Sequence, residues 1–390
     1  MEDDDRNGPD DRTGKSTLGE LGGSCGDLGT FLPHAIGAMT IAGLAPQGVL
    51  LGFGIFLVGS GLFYGLPMAV QPMKAVSAVL LTGDMDAGEV AATGLMIGAV
   101  MLVLGLTGAI GPIARLIPQS VTAGLQLGLG LAMGLLGLEL LGDHLWFGLL
   151  VLAVLLVLMR VPRCPAAPLT VLFAIIAGYP AGVVEMPDRI PLGWQWPAIA
   201  LPSWEDMVRA VELAVIPQLP LTLTNAVIVT AALSRDLFPR AAGRATERNL
   251  ALSTGLANLA LAPFGAMPMC HGAGGVQAQY RFGARTGLAP VLFGSLLLVL
   301  ALGLSEGALA LFGLIPAAAM GSLLLIAGTD LALSRRLFDA RPACWPAIAM
   351  TAILTLLANP AVALVCGWAL ETGRGPAMRT LKRLRRHTHC

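Results

Sequence analysis

Lys74 stands inside an apolar run, Gly65-Leu-Pro-Met-Ala-Val-Gln-Pro-Met-Lys-Ala-Val-Ser-Ala-Val79, whereas the chain's other two lysines, Lys15 and Lys382, stand in polar terminal segments. An ammonium group in apolar surroundings is costly unless a partner or a ligand offsets its lost hydration. Pro67 and Pro72 preclude an unbroken helix through the run, yet Pro72 suits the first turn of a helix that begins beside it. A helix that begins inside a membrane, with a cation near its N-terminus, is a candidate anion site. Gln71 adds amide donors to the same stretch. Both side chains also have plainer readings: Lys74 could extend to an interface or pair with Asp27, and Gln71 could bond neighbouring helices.

A second stretch of the same character follows in the other half. Cys270-His-Gly-Ala-Gly-Gly275 is rich in small residues, so Gly272, Ala273 and Gly274 let a ligand approach the backbone and leave amides exposed. His271 reads either as an anion donor or as a polar residue satisfied by a neighbour. Its titration near neutral pH would also suit proton coupling. Two further segments supply uncharged donors: Thr30 and His34 after Gly26-Asp27-Leu-Gly29, and Thr222, Thr224 and Asn225 after Pro217 and Pro220. Such donors suit an oxyanion, and they equally suit helix-to-helix hydrogen bonding. Asp27 is a candidate coupling group or a partner for Lys74. Cys270 and His271 lack a second ligand pair at metal-binding spacing, so neither a metal nor any cofactor is expected.

These residues need a membrane around them, and the composition supplies it. Hydrophobic residues make up 55% of 390 and charged residues 12%, with mean hydropathy +0.76, which places the chain among integral membrane proteins. The six cysteines are scattered without a CxxC pair, so neither a disulfide framework nor a zinc site is expected. An acidic, polar head (residues 1–20) reads as disordered rather than as a signal peptide. The tail, residues 372–390, is basic and suits the cytoplasmic face and anionic lipid rather than nucleic acid.

Arginine clusters at 115, 160–163, 235–248, 281–285 and 335–341 divide the apolar segments into fourteen spans with both termini cytoplasmic. Several spans are too short for the ~20 apolar residues of a full crossing. Residues 249–280 must supply two spans, and so must residues 342–371. Short, Gly/Pro-broken segments at corresponding places in two halves mark an inverted-repeat transporter. The halves do correspond. Pro67-Met68 answers Pro268-Met269, Leu116-Ile-Pro118 answers Leu314-Ile-Pro316, and Thr30–His34 can be laid on Thr222–Ala226. Repeat 1 covers about residues 21–184 and repeat 2 about 205–371, together one membrane transport domain (21–371). Seven spans per repeat force opposite orientations. Spans 3 and 10 then meet near the midplane, N-terminus to N-terminus, with free amides converging on one point.

Enzyme classes fit poorly. There is no HExxH and no Asp-rich pair within a span, and Gly22-Gly-Ser24-Cys-Gly26 has no apolar strand ahead of it to form a nucleophile elbow. Gly14-Lys15-Ser16-Thr17 imitates the end of a phosphate-binding loop, but its upstream glycine, Gly8, is one residue too far away.

Tyr64-Gly-Leu-Pro-Met-Ala-Val-Gln-Pro-Met-Lys-Ala75 and Pro268-Met-Cys-His-Gly-Ala-Gly-Gly-Val-Gln-Ala-Gln-Tyr-Arg-Phe-Gly-Ala-Arg-Thr-Gly287 resemble the two signature segments of the molybdate transporter family, relatives of the SulP sulfate permeases. The resemblance covers about residues 20–370. It implies molybdate uptake with sulfate as competitor, and a uracil-permease-like architecture of seven plus seven spans in which a core (spans 1–4 and 8–11) moves against a gate (5–7 and 12–14). It implies a substrate site at Gln71, Pro72, Met73, Lys74, Cys270 through Gly274, His34 and Asn225. A multi-pass inner-membrane location and a homodimer are further expectations. Two departures stand out: only about 19 residues follow the last span, too few for a STAS domain, and span 8 carries Thr224-Asn225 where proton-coupled relatives place an acid. A sulfate or other anion permease, and an anion channel, are the alternatives.

Overall fold

The computed structural model describes residues 17–387, apart from 83–84, 117, 162–163, 188, 190–192, 194–195, 200, 304–306 and 359. Residues 1–16, most of the expected head and Lys15 with it, lie outside the described residues. In the first half, helices α1 (Thr17–Ser24), α2 (Leu28–Thr40) and α3 (Pro46–Tyr64) lead to a three-residue strand, β1 (Val70–Pro72). Helices α4 (Lys74–Leu81), α5 (Ala87–Thr107), α6 (Ile110–Leu116), α7 (Gln119–Gly142), α8 (Leu145–Arg160) and α9 (Ala166–Gly178) follow. The second half opens on α10 (Trp204–Leu237) and α11 (Glu247–Leu261), then β2 (Met269–His271) and α12 (Ala273–Arg281). It continues through α13 (Leu288–Gly303), α14 (Ala308–Gly313), α15 (Ala317–Ala332), α16 (Arg335–Phe338), α17 (Trp345–Leu357) and α18 (Pro360–His387).

Among the described residues, α3, α5, α7, α10 and the segment Ala317–Phe338 are long and apolar enough to cross a membrane. At 8 and 9 residues, α4 and α12 are not. A rise of ~1.5 Å per residue makes each about 12–14 Å long, less than half the ~30 Å hydrocarbon layer. They are half-helices, as the broken apolar runs led one to expect.

The two halves interpenetrate. Helix α3 packs on α13, α5 on α11, and α7 on α15, each pair drawn from opposite repeats. Glycines permit this closeness, because no side chain holds the backbones apart. A methyl group at Gly98 of α5 would stand 3.0 Å from the Gly255 carbonyl oxygen of α11, and one at Gly130 of α7 would collide with the Gly328 carbonyl of α15. Two helix groups result. One contains α2–α5 with α10–α13; the other contains α7–α9 with α15, α17 and α18. The main core cluster is centred in the first group, around Met68, Met73, Met267 and Met269 beside the two strands, and extends to Leu129 and Met133 of α7 and Met320 and Leu324 of α15.

One terminal expectation changes. Helix α1 already begins at Thr17, so residues 17–20 are ordered. Glu20 is buried, and its carboxylate accepts the backbone N–H groups of Arg285 (2.9 Å) and Thr286 (3.0 Å). At the other end, α18 runs on through the basic tail as far as His387.

Asn258 of α11 holds β2 in place. Its Nδ2 donates to the Met269 carbonyl (2.6 Å) and to the Thr254 carbonyl (2.8 Å), while its Oδ1 accepts from the Met269 N–H (3.0 Å). Asn258→Leu leaves both backbone groups of Met269 without this partner, at ~1–3 kcal/mol each. The expected result is a marked fall in the unfolding temperature of the detergent-solubilised protein. An unchanged temperature would remove Asn258 from that role.

Candidate functional site

Each repeat builds its crossing segment in the same way. Gly65 ends α3 at φ 65°, and Gly265 ends the short turn after α11 at φ 78°, a left-handed conformation that glycine adopts without strain. The chain then runs extended into β1 or β2 and passes at once into a half-helix. The strands pair antiparallel, with Val70 opposite His271, Gln71 opposite Cys270, and Pro72 opposite Met269. Antiparallel strands feed α4 and α12 in opposite senses, so both N-termini border one cavity. The structural offset between the halves is 199 residues for strands and half-helices alike, from Val70 to Met269 and from Lys74 to Ala273. The matched letters Pro67 and Pro268, 201 apart, are therefore two residues out of structural register.

The cavity measures about 480 Å³. It is lined by Gln71, Pro72, Lys74 and Asn225, and by Cys270, His271, Gly272, Ala273 and Gly274. Gln126, Gln218, Asp330, Ser334 and Arg336 complete the polar part of its wall. Lys74 and Arg336 bring positive charge and Asp330 negative charge. A volume in the range of small-molecule sites, with two cations and two helix N-termini on its wall, suits a small anion.

The two N-termini are unequal, which corrects the expectation of free amides on both. The backbone N–H groups of Ala75 and Val76 donate to Gln218 Oε1 at 2.8 and 3.4 Å, and Gln218 Nε2 donates to Thr222 Oγ1 at 2.9 Å. A side chain of α10 thus caps α4. Among the described residues no side-chain hydrogen bond is seen to the first turn of α12, Ala273-Gly274-Gly275, whose N-cap is Gly272. The positive end of α12 is the more open of the two.

Helix α10 reaches the site through local rewinding. Pro217 and Pro220 lack the N–H groups that a regular helix needs, and wide π-type turns flank them at Val211–Val215 and Thr222–Val229. Thr230 Oγ1 accordingly reaches back five residues to the Asn225 carbonyl (3.0 Å).

Other expected residues fall in different places. Met73 is fully buried and its N–H donates to the Pro268 carbonyl (3.0 Å), so it pins the crossing rather than facing the cavity. The amide of Gln71 is spent on Asp27, donating from Nε2 to Oδ1 at 2.5 Å. Asp27, 4% exposed, lies against Gly275 in the first turn of α12, so its carboxylate faces the helix rather than the cavity. Both ring nitrogens of His271 have protein partners, Nε2 with Ser253 Oγ (2.8 Å) and Nδ1 with the Ala69 carbonyl (3.3 Å). Its imidazole is a structural group packed on Phe56 and Tyr64, and the donor reading gives way to the satisfied one.

Thr30 and His34 line a separate cavity of about 260 Å³, which Lys74, Asp330 and Arg281 also border. Thr224 lines a third, of about 850 Å³, with Arg248, Glu247 and Arg336. There Arg235, hydrogen-bonded to Glu247 at 2.9 Å, holds that carboxyl below the usual carboxylate range. Lys74 and Asp330 are shared by the first two cavities, and Arg336 by the central and third. Charged side chains thus stand at every junction.

Gln126, Gln218, Ser334 and Arg336 were not singled out from the sequence. The two glutamines carried the signal that marked Gln71, an uncharged amide inside an apolar run. In the sequence Arg336 is one of a cluster of loop arginines, 335–341, with nothing to set it apart.

A sequence profile of the family described as "Molybdate transporter of MFS superfamily" matches residues 19–133 and 210–331. The chain is similar to Molybdate transporter 1 of Arabidopsis thaliana, at 33% identity over 401 residues, covering 90% of this chain and 87% of the relative. Among solved structures it is similar to the transmembrane domain of the cyanobacterial bicarbonate transporter BicA, with TM-score 0.67, 17% identity, and coverage of 90% of this chain and 97% of that one. It is also similar to murine Slc26a9, an anion transporter in the inward-facing state, with TM-score 0.67, 12% identity, and coverage of 93% and 69%. These likenesses show the SulP-like fold of an integral membrane protein.

Proposed function

Because this chain belongs to the molybdate transporter family, we propose that it is a secondary transporter of a tetrahedral oxyanion, taking molybdate ahead of sulfate. The observation that carries this reading is the β1–β2 pairing, which sets two oppositely directed half-helices and Lys74 on one cavity. Partial positive charge from helix termini and uncharged donors bind a dianion in a bilayer without a full set of counter-charges. The similarity to Molybdate transporter 1 supports the choice of anion.

Transport follows an elevator-type alternation. The half-helices and α10 belong to the first helix group, the core, while α7 and α15 belong to the second, the gate. Motion of one group against the other carries the bound anion. With arginine-rich loops placed in the cytoplasm, the cavities bordered by Arg281 and Arg248 open inward. The protein lies in the cytoplasmic membrane with both termini inside, takes molybdate up, and works as a homodimer.

The test is molybdate uptake into liposomes carrying the purified protein, with sulfate as competitor, at two pH gradients. Saturable uptake that resists excess sulfate supports the reading. Strong competition points to a general sulfate-type permease, unsaturable flux to a channel, and no flux of either anion overturns the assignment. Asp27 is the coupling group within this reading, since its buried carboxylate joins Gln71 to the first turn of α12. Asp27→Asn, which exchanges no proton, is expected to abolish any pH dependence of uptake. A pH response equal to wild type would exclude Asp27 from coupling.

A further inference from the structure

The half-helices supply only one side of the central cavity. The rest of its polar wall comes from Gln218 and Asn225 of α10, from the second helix group and from the segment that follows α15, and outside α10 it contains atoms with no hydrogen-bond partner among the described residues. Gln126 of α7 is 5% exposed, lines the cavity, and has an Oε1 without a hydrogen-bond partner among the described residues. Ser334, between α15 and α16, lines the same cavity, and among the described residues its buried Oγ is also without a partner. Of the buried side-chain atoms that lack a partner among the described residues, only these two line this cavity, where a ligand could satisfy them. Between them and the larger cavity stands Arg336, half-buried, with Nη1 donating to Thr224 Oγ1 at 3.1 Å. That single bond leaves much of its five-donor fork for other acceptors.

We propose that Gln126, Ser334 and Arg336 are a second set of anion ligands, on the gate wall, and that they select the oxyanion by size. This rests on the oxyanion-transporter reading above and adds residues to it. The Ser334 hydroxyl donates to one anion oxygen, and the Gln126 carboxamide presents its NH₂ end by rotation about a broad terminal torsion. Arg336 supplies charge as well as donors, which complements the uncapped start of α12. Ligands on two walls measure the width of what lies between them. Molybdate and sulfate share charge and shape, and molybdate is the larger tetrahedron. An ion spanning both walls keeps both sets of bonds, whereas a smaller one forfeits part of one set. Discrimination therefore resides in the gate-wall residues more than in the half-helices, of which the open start of α12 can donate to either anion.

Calorimetric titration of the purified full-length protein with molybdate and, separately, with sulfate tests this. Wild type is compared with Gln126→Met, Ser334→Ala and Arg336→Gln. Each variant is expected to bind molybdate about tenfold more weakly, the loss of one hydrogen bond to a charged group, and sulfate with a smaller change. The ratio of the two affinities then narrows. Because that ratio is measured within one preparation, a partly inactive sample leaves it unchanged. A wild-type ratio in all three variants overturns the proposal, as does a loss equal for both anions. If the wild type itself binds neither anion, the transporter reading falls and this inference with it.

Discussion

Lys74→Ala is expected to weaken molybdate binding by about 10- to 100-fold while leaving the protein folded. The lysine borders two cavities at the start of α4, and among the described residues its ammonium is the charge nearest in sequence to the β1–β2 crossing. A charge-assisted contact of this kind contributes ~1.5–3 kcal/mol, which corresponds to roughly that range of affinity. Binding should persist in weakened form, because the uncapped N-terminus of α12 and Arg336 remain. Folding should hold because Lys74 is only half-buried, and alanine is a better helix former. The measurement is the molybdate concentration at half-maximal uptake in proteoliposomes, read beside the unfolding temperature. Uptake equal to wild type would remove Lys74 from the site.

Gly272→Ala is expected to damage both transport and stability. The backbone at Gly272 is extended, at φ −128° and ψ 117°, so alanine meets no conformational penalty there. The obstacle is space. A Cβ would overlap Oε1 and Cδ of Gln71, which lies on the facing strand opposite Cys270, two residues before Gly272. Gln71 has little freedom to retreat, since it is 4% exposed and its amide is bonded to the buried carboxylate of Asp27. Overpacking of ~1–3 kcal/mol therefore adds to the loss of a hydrogen bond to a carboxylate, ~1.5–3 kcal/mol. Loss of uptake together with a lower unfolding temperature is expected. A second change, Gln71→Ala, removes the colliding atoms, so the double variant should unfold at a higher temperature than Gly272→Ala alone. If it does not, the collision is not the cause.

The polar residues of the first half show how far sequence reading reaches. Lys74, Gln71 and the 270–274 segment were visible because polar or small residues interrupt apolar runs, and in a membrane every such interruption needs a reason. The repeat was visible because prolines and glycines recur where the backbone leaves the helical path. What Gln71 and His271 bond to was not visible. Asp27 is 44 positions from Gln71, and Ser253 is 18 positions from His271. Nothing in either neighbourhood announces these partners, so donors expected to face an anion prove to be spent inside the protein.

Composition and periodicity alone determined that this is a polytopic membrane protein of two inverted halves, each broken at a half-helix beside a candidate anion site. Those properties follow from single segments, through the cost of burying an amide or a charge in hydrocarbon. Only the tertiary structure decided which N-terminus stays open. Gln218 reaches α4 because Pro217 and Pro220 rewind α10, and Gln126, Ser334 and Arg336 meet the cavity because glycine contacts bring α7 and α15 together. Such choices depend on packing between elements far apart in the chain, where a difference of one turn decides whether a side chain faces the anion or the core.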